Sequence, residues 1–188
     1  MNKQIAPVID IKNICELSPF SDFKISRLDD LSCTANEFQE PHRHHYYTIF
    51  WISSGSGIHY VDLEQYHYSG PVAFMLSPGQ VHRIEQTIPA DGYIIKFLPS
   101  LFKDENDFLD YVIDTCLFDC VTLQPKISFD KTIERRVNNT VEQLVMEYEA
   151  PNADSINVIS SYLKILITYI NRAKNKNISS LISMGSPQ

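Results

Sequence analysis

All six histidines fall between positions 42 and 82 of a 188-residue chain, which concentrates ring nitrogens able to hold a metal or exchange protons. His42, His44, Tyr46, Thr48, Phe50 and Ile52 share one parity, so on an extended strand they project to one face. His45, Tyr47, Ile49 and Trp51 project to the other. The alternate pair His42 and His44 can point into one cavity. A third imidazole, which Zn, Fe or Mn would need, comes most naturally from His82 after the turn at Pro78-Gly79. Tyr46, Phe50, Tyr60, Tyr66, Tyr68 and Tyr93 would give the mouth of a barrel flat apolar faces with hydroxyl handles, which suits a sugar or an aromatic compound. The candidate ligand-binding set is therefore His42, His44, Tyr46, Thr48, Phe50, Tyr60 and His82. His45, His59 and His67 are expected at the surface or a sheet edge, and Arg43 and Arg83 at a solvated rim.

Short β-type runs must position these residues. Tyr46 to Ile52 is a β-branched and aromatic run closed by Ser53-Ser54-Gly55-Ser56-Gly57. Ile58 to Val61, Tyr66 to Tyr68, Val72 to Leu76, His82 to Ile84 and Tyr93 to Leu98 follow, punctuated by Gly70-Pro71, Pro78-Gly79, Pro89 and Asp91-Gly92. Strands this short and regular predict a sandwich or small barrel. Phe108, Leu109, Val112, Ile113 and Cys116 recur at helical steps and predict a short helix before Pro125. A longer helix starts from a cap at Asp130 and buries Ile133, Val137, Val141, Leu144, Val145 and Tyr148 before Ala150-Pro151. A second, capped by Asp154 or Ser155, runs to about Arg172, and a loose tail is expected over 175–188. The chain thus divides into an arm over 1–20, a barrel over 21–128, a helical segment over 129–174 and that tail.

Composition limits the function. The chain is 44% apolar with a formal net charge of −7, so it folds as an ordinary globular protein and is poorly suited to hold nucleic acid by itself. The acidity is uneven: 17 acidic against 9 basic residues up to 129, and 6 against 7 beyond. The N-terminus lacks the apolar run of a secretory signal, and no membrane span is present. Cys15, Cys33, Cys116 and Cys120 form no paired CxxC units and suit the reduced thiols of a cytoplasmic protein. No GxSxG elbow, P-loop or dinucleotide-binding glycine pattern occurs.

The run Pro41-His42-Arg43-His44-His45-Tyr46-Tyr47-Thr48-Ile49-Phe50-Trp51-Ile52, then Gly55-Ser56-Gly57, then Ser77-Pro78-Gly79-Gln80-Val81-His82, resembles the N-terminal sensor domain of AraC-type transcription regulators. The likeness continues through Tyr93-Ile94-Ile95-Lys96-Phe97 and the paired C-terminal helices, covering about 25 to 173. It implies a mainly β fold with C-terminal α: a cupin-like double-stranded β-helix, or jelly-roll, barrel followed by two helices. Metal-binding cupins place a Glu where this chain has Thr48, and Pro71 stands where the second motif normally opens with Gly. Without that carboxylate, His42, His44 and His82 are expected to converge with no stoichiometric metal and no other cofactor.

The resemblance implies a sensor and dimerisation module that binds a small effector in the barrel and acts on DNA only through a helix-turn-helix domain beyond this chain. The alternative is a small metal-dependent cupin enzyme, a dioxygenase or isomerase. A homodimer is expected through the second helix, with the a/d-like stripe Ile156, Ile159, Leu163, Leu166 and Ile170 as the candidate seam. Val158, Tyr162, Ile165 and Tyr169 form another on the nearly opposite face. One stripe can cover the chain's own preceding helix while the other meets a partner chain.

Overall fold

A computed structural model describes residues 6–9, 18–30, 40–102, 110–112, 115–118 and 124–185, with side chains through 179. Most of the arm, Cys15, Cys33, Cys120, Phe108, Leu109 and Ile113 lie outside the described residues. The strands are β1 (Val8–Ile9), β2 (Phe23–Arg27), β3 (Arg43–His44), β4 (Tyr47–Val61), β5 (Glu64–Ser69), β6 (Val72–Leu76), β7 (His82–Phe97) and β8 (Lys126–Ser128). Two helices follow, α1 (Lys131–Glu149) and α2 (Ser155–Gly185). The expected mainly β barrel with C-terminal helices is the architecture found.

Two strands are longer than the turn residues suggested. β4 runs through Ser53–Gly57 without stopping, and β7 runs through Pro89 and Asp91–Gly92. They pair antiparallel from Tyr47↔Phe97 to Val61↔His82, with register shifts between Ile52 and Gly57. Glycine and serine here bend the strands through bulges rather than end them. At Gly92, with φ +146°, an added Cβ would lie 1.9 Å from the Trp51 carbonyl oxygen, so close backbone approach is what the position requires. The two halves of each bent strand then serve opposite walls. Tyr47–Ile52 pairs with β6 and the end of β7, whereas Ser56–Val61 pairs with β5 and the start of β7.

The sheet order β2-β7-β4-β6-β8 separates two cores. Inside the barrel lie Leu28, Phe50, Ile52, Val61, Tyr68, Val72, Phe74, Leu76, Ile84 and Ile94. On the outer face of the same sheet, Phe23, Ile25, Ile49, Trp51, Ala73, Met75, Ile95 and Phe97 pack against the helices. Trp51 Nε1–H donates to Asn138 Oδ1 at 2.9 Å and ties that face to α1.

The helices begin where the sequence indicated. Asp130 Oδ1 accepts from the Thr132 and Ile133 N–H groups at 2.8 and 2.9 Å, and the Asp154 carbonyl accepts the first α2 bonds. Among the described residues of the short helix predicted around 108–116, 110–112 are helical, and Cys116 occupies a turn with φ +49°. The loose tail is corrected more firmly, because α2 continues to Gly185. The proposed dimer seam is corrected as well: Ile159, Leu163, Leu166 and Ile170 are fully buried in the chain's own core and cannot face a partner, and of that set only Ile156 is exposed.

Candidate functional site in the barrel

The inner face of β4 and its neighbours brings the expected histidines together. His42 pairs with His82 through a backbone bridge, His42 N–H donating to His82 O at 3.1 Å and His82 N–H to His42 O at 2.8 Å. His42, His44 and His82 are each 1–2% exposed. Each offers one ring nitrogen to a group whose members lie within 4.8 Å of one another.

Second partners orient these rings. His42 Nδ1–H donates to the Glu40 carbonyl at 2.9 Å, which leaves Nε2 of the neutral ring as an acceptor. His44 Nε2 and His82 Nε2 are 3.2 Å apart, and His82 Nδ1 is 3.2 Å from His59 Nε2. Thr48 Oγ1 lies 3.4 Å from His44 Nδ1. Since two facing lone pairs repel, one proton bridges each N···N contact. A chain running from His59 through His82 and His44 to Thr48 can be completed with every ring neutral.

Three gathered imidazoles meet the distance condition for a divalent ion, but Thr48 adds a neutral hydroxyl where a carboxylate would add charge. His44, His82 and His59 bond one another, and His42 bonds the Glu40 carbonyl. What the arrangement does directly is present nitrogen donors and acceptors next to aromatic walls.

Tyr46 stacks on His44 with ring centroids 4.4 Å apart and planes 13° from parallel. Phe50 meets His59 and His82 edge-on at 5.0 and 5.6 Å, and Phe74 meets His59 at 4.4 Å, so the two walls touch across the interior. Tyr46, Thr48 and Phe50 are fully buried beside the histidines.

Tyr60 is a correction. It is half-buried on the outside of the barrel, where its hydroxyl donates to Glu85 Oε2 at 3.1 Å and Arg83 covers its ring at 4.5 Å. His59 is the opposite correction: expected at an edge, it is fully buried inside. His45 and His67 are exposed, as expected. Sequence reasoning also passed over Lys24, Ser26 and Lys96, which face the barrel interior between residues of the outer core. The signal was alternation, since Phe23, Ile25, Ile95 and Phe97 carry the other face.

Residues 31–110 match the family described as the AraC-like ligand binding domain. No curated protein matches the sequence. Among solved structures, the AraC-like transcriptional activator CuxR is similar with 10% identity and a TM-score of 0.47, over 81% of this chain and 49% of that one. ToxT from Vibrio cholerae is similar with 12% identity and a TM-score of 0.42, over 82% of this chain and 57% of that one. The chain thus spans about half the length of these two proteins.

Proposed function

We propose that this chain is the effector-sensing and dimerisation part of an AraC-type transcription regulator, because residues 31–110 match the family described as the AraC-like ligand binding domain, which is a regulatory rather than an enzymatic family. The enzyme alternative is set aside on the same ground. A small molecule enters the barrel and contacts His42, His44, His82, Tyr46, Thr48 and Phe50. Its preference for one of two conformations shifts their populations, and the shift reaches a DNA-binding domain elsewhere in the regulator. Dimerisation falls to the α2 stripe of Val158, Tyr162, Ile165 and Tyr169, because the other stripe is consumed by the chain's own core.

The observation that carries this reading is the convergence of three buried imidazoles with a stacked tyrosine inside the barrel. Incubating the chain with a metabolite extract, desalting it and identifying retained compounds by mass spectrometry tests it directly. The wild type should retain a specific compound that the folded His44→Ala chain releases. Retention of nothing, or equal retention by both, overturns the proposal. Metal analysis of the same preparation should find well under one ion per chain; about one Zn, Fe, Mn or Ni per chain would overturn the metal-free pocket.

A further inference from the structure

Two residues along β7 from His82, at Ile84, the inner core borders an open hollow of about 630 Å³, a size typical of small-molecule sites. Leu28, Ile84 and Ala90, all buried, give it apolar walls, and exposed Pro89 forms its lip. Two carboxylates, Asp29 and Glu85, also border it, and both are already held. Arg27 Nε–H donates to Asp29 Oδ1 at 2.8 Å, while Glu85 pairs with Arg83 and accepts the Tyr60 hydroxyl at 3.1 Å. Neither is left to select a cation. Among the described residues no Lys or Arg lines the hollow to select an anion.

The hydrogen-bond donors at this end suit an uncharged acceptor instead. Gly57 on β4 lies opposite both Tyr68 on β5 and Gln86 on β7, so the three form one row across the inner face. Since Gly57 carries no side chain, Tyr68 reaches across the row. Its hydroxyl lies 2.8 Å, and the Glu85 carbonyl oxygen 2.0 Å, from the point that a Gly57 Cβ would occupy. The hydroxyl thus arrives at the stretch of β7, Glu85 and Gln86, that borders the hollow. It is buried with no hydrogen-bond partner among the described residues, which costs stability until an acceptor is supplied. Gln86 provides a second donor: its Oε1 accepts from the Ala90 N–H at 3.2 Å, which leaves both Nε2–H groups for a ligand oxygen.

We propose that this hollow binds an uncharged, largely apolar molecule bearing a carbonyl oxygen, which accepts from the Tyr68 hydroxyl and the Gln86 amide while the apolar body lies against Leu28, Ile84, Pro89 and Ala90. One carbonyl oxygen has two lone pairs and can take both bonds. A charged ligand would give up hydration here with no opposite charge free to replace it. The assignment goes beyond the histidine contacts of the effector reading and does not depend on them.

The test is equilibrium dialysis with benzophenone and with diphenylmethane, which has a methylene in place of the carbonyl, alongside 4-benzoylbenzoate and 4-(aminomethyl)benzophenone as anionic and cationic relatives. Benzophenone should bind, and each of the other three should bind at least about fivefold more weakly, the loss expected for a hydrogen bond or an unpaired charge. Tyr68→Phe and Gln86→Leu should each cut the preference for benzophenone over diphenylmethane about fivefold, in chains whose fold is intact by circular dichroism. His44→Ala should leave that preference unchanged. Gln86 is exposed, so its variant carries the test if Tyr68→Phe fails to fold. No binding of benzophenone, or equal binding of benzophenone and diphenylmethane, overturns the proposal. So does tighter binding of either charged relative, or a preference unchanged in the folded variants. A preference lost in His44→Ala would place the ligand at the histidine group and overturn the site at this end. The extract experiment judges the effector reading separately.

Discussion

Gly57 and Tyr68 show how closely the inner wall is fitted. A Cβ at Gly57 would lie 2.0 Å from the Glu85 carbonyl oxygen and 2.8 Å from the Tyr68 hydroxyl, so no side chain has room there. Gly57→Ala should therefore destabilise the chain by about 3 kcal/mol in urea unfolding, the range for overpacking against backbone. The Tyr68 hydroxyl is buried with no hydrogen-bond partner among the described residues, and burial pushes its pKa up to about 12. Tyr68→Phe removes a desolvated hydroxyl without losing such a bond, so its stability should stay within about 1 kcal/mol of wild type or rise. A loss near that of Gly57→Ala would mean that the hydroxyl serves a structural bond. The same wall explains why site residues were only partly legible. His42 to Ile52 could be assigned by counting alternate residues, and that count places Tyr60 inside. The register shifts between Ile52 and Gly57 reverse the parity, so Gly57, His59 and Val61 face inward and Tyr60 faces out. Alternation is local, and a bulge resets it.

Beyond residue 174 the sequence of α2 reads as a polar tail, yet the helix persists because tertiary bonds hold its polar residues. Lys174 Nζ–H groups donate to the Thr115 and Cys116 carbonyls at 2.6 and 3.2 Å. Lys176 pairs with Asp130 Oδ2 at 2.6 Å, and Asn177 Nδ2–H donates to the Ser128 carbonyl at 3.1 Å. Apolar periodicity cannot report contacts of this kind, whereas the cap at Asp130 was legible because a cap is a local signal. The Lys176 ammonium, followed by the Ile133 and Thr132 N–H groups, holds the Asp130 carboxyl down at about 2 from its ordinary 3.8. A depressed carboxyl stabilises the fold fully above its unfolded value, and this contribution fades as pH falls from 3.8 towards 2. Lys176→Ala should thus lower the urea midpoint near pH 6 and converge with wild type at about pH 2. Equal midpoints at both pH values would show that the pair contributes nothing measurable, as many exposed pairs do.

At the scale of the whole molecule, one sheet serves two cores, with the candidate site on one side and the helices on the other. Adjacent residues of β4 alternate between them: Phe50 faces the histidines, and Trp51 reaches Asn138 of α1. A change inside the barrel is therefore one residue away from the helical layer, which gives a sensor a short physical route to whatever α2 contacts. The two stripes on α2 were legible as periodicity, but their roles were not, because the fold decides which stripe the sheet and α1 cover. Leu166 is fully buried in that core, and its neighbour Ile165 is 41% exposed among the half-buried Val158, Tyr162 and Tyr169. The same charge introduced at these adjacent positions should have different consequences. Leu166→Glu places a carboxylate in an apolar interior, at a cost of about 4 kcal/mol or more, and should largely unfold the chain. Ile165→Glu alters a surface position and should change monomer stability by no more than about 0.5 kcal/mol, but it sets like charges across any α2-to-α2 contact. Sedimentation at roughly tens of micromolar, where mass action favours association, should find a wild-type dimer and an Ile165→Glu monomer with unchanged helical content. A wild-type monomer, or an Ile165→Glu dimer, would remove this face of α2 from the assembly and leave the barrel's ligand chemistry to stand alone.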